Sequence, residues 1–381
     1  MPEEKLDKLT AYVLAIIFLA AIFIPFLGSI IKTDTIKSVS EKRILTPLPE
    51  KPNSIKTLRR YPKKFNLYFQ DNFGFRENLM LHHELKYWLG DSPSEKVMRG
   101  KDGWLFLKGD SSTDLQNAFR GILRFKESEL KQYADALDAR YKWLANNGIQ
   151  YLLVIAPNKH SIYPEYLPDS MFQVNDKTLT DKFFSYIQQH TDVPVLDLRQ
   201  ALLKAKTIDK LLYYKTDTHW NHYGSNIAQY EIAKILASFY PQQIKPRFYN
   251  KRDFIINPVA GGDLAVLLGK KLQYKEYNPN PILAPCARRP IPPDGDFTRT
   301  FTTQCGKSSL NAVIFRDSFF EYLYQYISLY FNRVTFISKR LEFSDMAKYI
   351  EGEKPDIIIE EWAERFLTDI PEVEPEFTKT D

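Results

Sequence analysis

The sequence predicts an α/β fold with a mainly parallel sheet flanked by helices and one N-terminal transmembrane helix. Three observations lead to this prediction. Short apolar runs rich in β-branched residues recur along the chain, and such runs are typical of buried parallel strands. Amphipathic segments alternate with these runs, which is the order expected of an α/β domain. A long uncharged apolar stretch lies near the start of the chain.

The uncharged stretch covers residues 10–31 and is long enough to cross a hydrocarbon core of roughly 30 Å. A cleavable signal peptide is the alternative, but this apolar region is unusually long for one and no small-residue cleavage site follows it. We therefore expect a single-pass anchor in the cytoplasmic membrane. More Lys and Arg residues follow the stretch than precede it, so the positive-inside rule argues against an external C-terminal domain.

The domain limits are predicted from composition. Residues 1–9 flank the anchor, residues 32–63 are polar with several prolines and predict a linker, and residues 371–381 predict an acidic, disordered tail. Residues 64–370 are predicted to form one domain. In a chain of 381 residues of which 44% are hydrophobic, a domain of this size can bury a substantial core.

Within that domain the pattern predicts helices and strands in alternation. The predicted helices cover Phe65–Trp88, Glu127–Asn147, Phe183–His190, Ile227–Tyr240 and Phe319–Ile327. The predicted strands cover Tyr151–Ala156, Val193–Asp197, Asn311–Phe315, Val334–Ile337 and Asp356–Glu360. Because the strands are predicted to be parallel, residues at their carboxyl ends share one edge of the sheet, where open α/β folds bind their ligands.

Ser318 follows one of these strands, Asn311–Phe315, and precedes a predicted helix. At such a turn its hydroxyl lies at the ligand-binding edge, and the N–H groups at the helix start can stabilise an oxyanion. The alternative is purely structural: Asp317 or Ser318 caps the helix and has no further role.

A second polar segment, residues 216–224, supplies a carboxylate and an imidazole. Asp217 and His219 are two residues apart, so they point the same way in an extended stretch, while in a tight turn the carboxylate can bond the ring just beyond it. Either geometry fixes the tautomer of the ring, as a Ser-His-Asp triad requires. A capping turn with an incidental histidine remains an alternative.

A metal site formed by Asp217, His219 and His222 is a further alternative, because all three side chains have ligand chemistry. The segment lacks a fourth candidate ligand nearby and carries no H-E-x-x-H pattern. We therefore expect neither a metal nor a cofactor.

With these motifs the chain resembles the alginate-type family of bacterial polysaccharide O-acetyltransferases, whose SGNH-hydrolase-like domain places an Asp-x-His pair before the nucleophilic serine. The patterns D-x-H-W-N-x-x-G at 217–224 and D-S-F at 317–319 carry the resemblance. Similar blocks occur at 71–76, 100–106, 154–159, 162–165 and 361–365. Their shared order, more than any single block, makes the match specific.

The resemblance implies an SGNH-hydrolase-like fold in which Ser318 is the nucleophile, His219 the base and Asp217 the residue that orients the base. Candidates for substrate or oxyanion binding lie at the strand ends and around the motifs: Asn158, Lys159, Arg316, Trp220 and Asn221. Many family members have glycine two residues before the nucleophile. This chain has Arg316 there, whose side chain can fill an oxyanion or substrate site.

The resemblance further implies transfer of acetyl groups to hydroxyls of an extracytoplasmic polysaccharide through an acyl-serine. It places the domain outside the cytoplasmic membrane, periplasmic or extracellular, and we follow it against the charge count. Because acetyl-CoA is cytoplasmic, a membrane-embedded acyltransferase is the implied source of acetyl groups. Two alternatives remain: a carbohydrate acetylesterase with the same triad, and a catalytically silent subunit of a polysaccharide biosynthesis or export complex.

Composition bears on partners and on crosslinks. The formal net charge is +5, and no basic run is interleaved with aromatic residues, so we expect no binding to nucleic acid. Cys286 and Cys305 are the two cysteines, and they lie in a proline-rich stretch, Pro279–Gly306, that the pattern predicts to be irregular. An even count outside the cytoplasm indicates a disulfide, with two free thiols as the alternative.

Overall fold

A computed structural model describes residues 12–16, 18–20, 23, 37–38, 43–72, 87–89, 92, 94–109, 114–207, 210–284, 286–290 and 300–374. The chain divides into two compact units, Met1–Glu95 with Leu267–Gly269 and Lys96–Val266 with Lys270–Asp381. The described elements of the first unit include β1 (Lys37–Ser38), its antiparallel partner β2 (Arg43–Ile44), and the helix Ile55–Asn72.

The predicted anchor at residues 10–31 falls mostly outside the described residues. Among the residues that are described, no helix has both the length and the apolar character needed to cross a bilayer. Much of the predicted helix Phe65–Trp88 also lies outside the described residues, and so do residues 375–381 of the predicted tail. The helix Ile55–Asn72 crosses the predicted linker boundary at residue 63, and the domain limits stay a prediction.

The second unit contains a seven-stranded sheet. In their order across the sheet, its strands are β6 (Val195–Asp197), β5 (Gln150–Ala156), β13 (Ile357–Ala363), β11 (Asn311–Phe315), β12 (Arg333–Ile337), β10 (Thr300–Gln304) and β9 (Ala287–Pro290). From β6 to β12 the neighbours are parallel, whereas β10 pairs antiparallel with both β12 and β9. The sheet is therefore mixed. The five predicted strands are its parallel part, and the antiparallel edge is absent from the prediction because β9 and β10 are not continuous apolar runs.

The helices of this unit are Leu115–Phe119, Glu127–Asn146, Lys159–Ile162, Leu179–His190, Arg199–Ala205, His222–Phe239, Asp263–Leu267, Tyr324–Ile327 and Phe343–Glu353. Short 3-10 helices cover Lys101–Gly103, Pro164–Tyr166, Lys251–Asp253, Lys271–Gln273, Ser318–Tyr322, Ser328–Tyr330 and Glu364–Thr368. Two antiparallel ribbons complete the unit, pairing β3 (Val97–Arg99) with β4 (Leu105–Leu107) and β7 (Phe254–Ala260) with β8 (Lys275–Pro281).

Side chains of the sheet divide between two cores, because successive residues of a strand point to opposite faces. On β5, Val154 lies in one core, and its neighbours Leu153 and Ile155 lie in the other. Burial on both faces explains why the parallel strands are continuous apolar runs. The parallel ladders hold β5, β13 and β11 side by side, so the residues that follow their carboxyl ends meet at one edge.

Cys286 and Cys305 form a disulfide with Cα atoms 4.8 Å apart. Cys286 precedes β9 and Cys305 follows β10, and these strands pair with Ala287 opposite Gln304. The crosslink therefore continues the antiparallel ladder by one position at the edge of the sheet.

A buried ion pair joins the helix Glu127–Asn146 to β13. Arg140 Nη1 lies 2.6 Å from Glu360 Oε2, and both side chains are buried. The hydroxyl of Tyr151 donates to the same oxygen at 2.7 Å, and the indole N–H of Trp362 donates to Oε1 at 2.9 Å. Because both carboxylate oxygens are hydrogen-bonded, the charge of Glu360 is tolerated inside the fold.

We expect Arg140→Met to lower the free energy of unfolding by about 3–5 kcal/mol, because it leaves the Glu360 carboxylate buried without its counterion. Urea denaturation followed by circular dichroism measures the change. The matched control is Lys142→Met, two residues after Arg140 on the same helix. It removes an exposed ion pair with Asp138 and should lower the free energy of unfolding by less than about 0.5 kcal/mol. Equal losses in the two variants would contradict this account of the ion pair.

Candidate active site

Ser318 lies at the start of the 3-10 helix Ser318–Tyr322, directly after β11. Asp317, not Ser318, caps this helix: its Oδ1 accepts the N–H of Phe319 at 2.8 Å. Its Oδ2 accepts the N–H of Ala363, at the end of β13, also at 2.8 Å. The aspartate thus fixes the turn to the neighbouring strand, and the serine hydroxyl points to another partner.

That partner is His219. Its Nε2 lies 2.7 Å from Ser318 Oγ, and its Nδ1 lies 2.6 Å from Asp217 Oδ1. The same carboxylate oxygen accepts the backbone N–H of His219 at 3.0 Å, so Asp217 closes a tight turn onto the residue two positions ahead. The structure therefore brings together Ser318, His219 and Asp217, and it selects the tight-turn geometry of the two that the sequence allowed.

The Asp217 carboxylate is set up to remain ionised. Burial acts to raise its pKa, but the hydrogen bond and charge of His219, together with the N–H of Asp263, lower the pKa of Asp217 to about 2. An ionised carboxylate at Nδ1 keeps the proton of a neutral imidazole on that nitrogen. Nε2 is then free to accept the proton of Ser318.

The sequence predicts substrate or oxyanion contacts at Trp220 and Asn221, and the structure engages both side chains in hydrogen bonds within the fold. Trp220 is fully buried, and its indole N–H donates to the carbonyl of Phe319 at 3.0 Å. Asn221 caps the helix His222–Phe239: its Oδ1 accepts the N–H groups of Tyr223 and Gly224. The two residues therefore stabilise the loop that carries His219.

Lys159, another predicted substrate or oxyanion candidate, is buried beside this loop. Its buried ammonium donates to the carbonyls of Tyr214, Lys215 and Asp217, at 3.1, 3.0 and 2.6 Å. The three carbonyls belong to the loop that carries the triad carboxylate. Lys159 therefore clamps this loop.

Arg316 packs against the turn that carries Ser318. Its Nη1 is 2.7 Å from Glu321 Oε1 and donates to the carbonyl of Asp317 at 3.2 Å, and its side chain is only 3% exposed. The guanidinium ion braces the turn and the following 3-10 helix. The structure thus places this predicted oxyanion candidate next to Ser318 but engages its charge with Glu321.

Asn158 lies at the carboxyl edge of the sheet, between β5 and the helix Lys159–Ile162. Its backbone N–H donates to Glu364 Oε2 at 2.8 Å, and no side-chain capping bond is made to the helix that follows. Glu364 also accepts the hydroxyls of Ser161 and Thr180, each at 2.7 Å, so it fixes this segment. Asn158 lines a cleft together with Arg365, whose guanidinium carbon lies 5.3 Å from the ring centre of Phe319.

The predicted metal alternative is not assembled from the residues proposed for it. The donor atoms that lie within 4.8 Å of one another belong to Asp217, His219 and Asp263. His222 packs instead against the rings of Tyr322 and Tyr326, and burial lowers its pKa to about 4. In the group that does form, His219 Nδ1 is already hydrogen-bonded to Asp217, so a metal at this atom would replace that bond.

Asp263 is the site residue that the sequence reasoning missed. It contacts Asp217 from the start of the helix Asp263–Leu267, where its backbone N–H donates to Asp217 Oδ2 at 2.9 Å. The available signal was the pair Gly261-Gly262 directly before an acidic residue and an apolar run. Two adjacent glycines followed by a helix start indicate close approach of one backbone to another.

Comparison with known proteins identifies one matching family. The family described as the SGNH hydrolase-like domain of the acetyltransferase AlgX matches residues 97–308, which is more than half of the chain. The matched range includes Asp217 and His219, and Ser318 lies beyond its end.

The chain is also similar to individual proteins. A probable alginate O-acetylase AlgJ of Pseudomonas fluorescens is 26% identical over 189 residues, covering 49% of this chain and 45% of the relative. Its counterpart from Pseudomonas syringae pv. tomato is 24% identical over 225 residues, covering 58% and 54%. The matches thus span about half the length of these curated relatives. The solved structure of Bacillus cereus PatB1 shares the fold, with a TM-score of 0.52 at 14% identity over 71% of this chain and 96% of PatB1.

The Lys159 clamp predicts a measurable pH dependence of stability. Burial lowers the pKa of Lys159 to about 8, against the opposing pull of nearby carboxylates, whereas an unfolded lysine titrates near 10.4. Between these values the unfolded chain binds more protons than the folded one, so the contribution of Lys159 to stability rises with pH. We expect a rise on the order of 2 kcal/mol from pH 7.5 to 9.5 in the wild type relative to Lys159→Met.

Denaturant unfolding at the two pH values measures this difference. Lys204→Met removes an exposed lysine and should retain the wild-type rise. An unchanged pH dependence in Lys159→Met would show that the ammonium is not desolvated as the structure indicates.

Proposed function

Because the chain belongs to the family of SGNH hydrolase-like domains of the acetyltransferase AlgX type, we propose that it transfers acetyl groups to hydroxyls of an extracytoplasmic polysaccharide. The observation that carries the proposal is the continuous chain of hydrogen bonds from Ser318 through His219 to Asp217. It supplies a nucleophile, a base and an orienting carboxylate at hydrogen-bonding distance, as acyl transfer through a covalent intermediate requires.

In the first half-reaction Ser318 Oγ attacks the carbonyl carbon of the acetyl donor. His219 Nε2 takes the hydroxyl proton, and Asp217 stabilises the imidazolium ion. The negative charge that develops on the carbonyl oxygen faces the backbone N–H of Ser318 at the start of its 3-10 helix, with Asn158 as the second candidate donor. The leaving group takes the proton from His219 and departs, which leaves an acetyl-serine.

In the second half-reaction a hydroxyl of the polysaccharide attacks the carbonyl carbon of the acetyl-serine. His219 takes the proton of that hydroxyl and returns it to Ser318 Oγ as the serine ester breaks. The products are the O-acetylated sugar and the original serine. If water takes the place of the sugar hydroxyl, the same steps amount to an acetylesterase.

The remaining parts of the proposal concern where the reaction occurs. Residues 10–31 anchor the chain in the cytoplasmic membrane, residues 32–63 link the anchor to the domain, and residues 64–370 act on polysaccharide outside the membrane. A membrane-embedded acyltransferase delivers the acetyl groups. The length and apolar character of residues 10–31 support the anchor, and the family supports a polysaccharide acceptor.

We expect Ser318→Ala and His219→Ala each to lose most of the transfer of acetyl from an activated ester to oligosaccharides, and the double variant to lose little more. The residues act as one unit, so the losses are not additive. Asp217→Asn should lose less than His219→Ala, because the imidazole remains although its orientation is weakened. Product formation is measured by mass spectrometry of the sugar, with release of the leaving group followed in parallel.

His190→Ala supplies the matched control, because His190 is exposed and packs only on Tyr186 near a helix end. It should retain wild-type activity. His222→Ala should have a mild effect, whereas a metal site that includes His222 would require a loss comparable to His219→Ala. Full transfer by Ser318→Ala would eliminate the acyl-serine mechanism. Ester cleavage without any acetylated sugar would identify an esterase, and an inactive wild type whose Ser318→Ala variant supports polymer acetylation in cells would identify a silent subunit.

A further inference from the structure

The loop that carries the triad carboxylate is held by a second segment of the chain, residues 262–265. Gly262 N–H donates to Thr216 Oγ1 at 3.0 Å, and Asp263 N–H donates to Asp217 Oδ2 at 2.9 Å. The next two N–H groups, of Leu264 and Ala265, both donate to the carbonyl of Thr216. The turn and the helix start therefore direct four consecutive N–H groups at residues 216–217.

Close approach of the two backbones depends on Gly262. A Cβ atom at this position would lie 2.4 Å from both Cβ and Oδ2 of Asp217. No side chain fits in that space without moving the triad carboxylate, so glycine is required here. The contact places the next residue, Asp263, directly beside the histidine loop.

The Asp263 side chain faces that loop with both oxygens. Its Oδ1 accepts the N–H of Thr218 at 2.8 Å, and its Oδ2 accepts the hydroxyl of Thr218 through a short hydrogen bond. Oδ2 also lies 4.0 Å from His219 Nδ1, and Thr218 Oγ1 lies 3.3 Å from the same nitrogen. The Nδ1 side of the imidazole thus meets two carboxylates rather than one.

We propose that Asp263 is a positioning residue for the reaction: its carboxylate holds the His219 loop and stabilises the imidazolium ion that forms in each half-reaction. The inference rests on the proposed function, because it assigns Asp263 a part in the same proton transfers. A full negative charge 4.0 Å from a developing positive charge is close enough to affect the rate in a partly buried site.

The charges around the ring support this assignment. Among the described residues, Asp217 and Asp263 lie beside Nδ1, and the ring of Tyr322 lies 6.1 Å from the imidazole between centres. Lys159 and Glu276 contact the backbone of the same loop. Burial raises the pKa of Tyr322 above its usual range, so this phenol is neutral at physiological pH. Lys159 is engaged with three backbone carbonyls. The nearest charges to Nδ1 are therefore negative, and removal of one of them disfavours the imidazolium ion.

Asp263→Asn tests the role of the charge, since the amide keeps the size of the side chain and the backbone N–H to Asp217. We expect kcat for an activated acetyl ester and for transfer to sugar to fall about tenfold, with KM changed less than twofold. The acid limb of the pH–rate profile should move to lower pH by about one unit, because a histidine with one fewer neighbouring anion is protonated less readily. A merely structural residue would not move that limb.

Asp253→Asn is the matched control. Asp253 also accepts a backbone N–H in a short turn, that of Asn250 at 2.7 Å, and its substitution should leave the rate and the profile unchanged. Asp263→Glu keeps the charge, so its acid limb should stay at the wild-type position even if kcat falls. If Asp263→Asn folds poorly, as judged by thermal unfolding, a displaced acid limb in Asp263→Glu would contradict the inference, because the charge is retained.

An active wild type whose Asp263→Asn variant keeps both kcat and the acid limb would overturn the inference and leave the proposed function intact. A stoichiometric divalent metal in the wild type, lost together with activity on chelation, would also overturn it, because Asp217, His219 and Asp263 would then be ligands. An inactive wild type would count against the proposed function itself.

Discussion

The hydrogen bond from the indole of Trp220 to the carbonyl of Phe319 joins the two halves of the site. One half is the turn after β11 that carries Ser318, and the other is the loop that carries Asp217 and His219. These segments are far apart in sequence. The 2.7 Å contact between Ser318 Oγ and His219 Nε2 therefore depends on how the two backbones are held together. The Trp220 ring packs edge-on against Phe319 at 5.0 Å. Burial of both rings therefore reinforces the Trp220–Phe319 hydrogen bond, which holds Ser318 and His219 at their observed distance.

The electrostatics of the site depend on the same placement. Buried acidic groups accumulate at the carboxyl edge of the sheet, and each has a specific partner. Burial and the neighbouring charge of Asp317 raise the pKa of Glu361 well above its usual range. Its Oε2 accepts the N–H of Asp317 at 3.0 Å. The serine turn is thus fixed to β13 by hydrogen bonds of two acidic residues, Asp317 and Glu361.

The sequence was sufficient to predict the parallel part of the sheet, because strands buried on both faces are continuous apolar runs and leave few alternatives. β9 and β10 lie at the edge of the sheet and are rich in Arg, Pro and Thr, so no hydrophobic pattern marked them. The grouping of Ser318, His219 and Asp217 followed from two motifs and a family resemblance. The roles of Lys159 and Trp220 did not, because a lysine at a strand end and a tryptophan beside a histidine look the same in sequence whether they face substrate or backbone. Asp263 was missed because only folding brings it beside Asp217.

Rapid-quench peptide mapping of the wild-type protein tests the central claim, that Ser318 carries the acyl group, most directly. The protein is mixed with an activated acetyl ester without sugar, quenched in acid at short times, digested, and analysed by mass spectrometry. We expect an acetylated peptide in which fragmentation places the acetyl group on Ser318. When oligosaccharide is added, the amount of this peptide should fall as acetylated sugar appears. Acetyl turnover at wild-type rates with Ser318 unmodified at every time point, or with the acetyl group on another side chain, would contradict it.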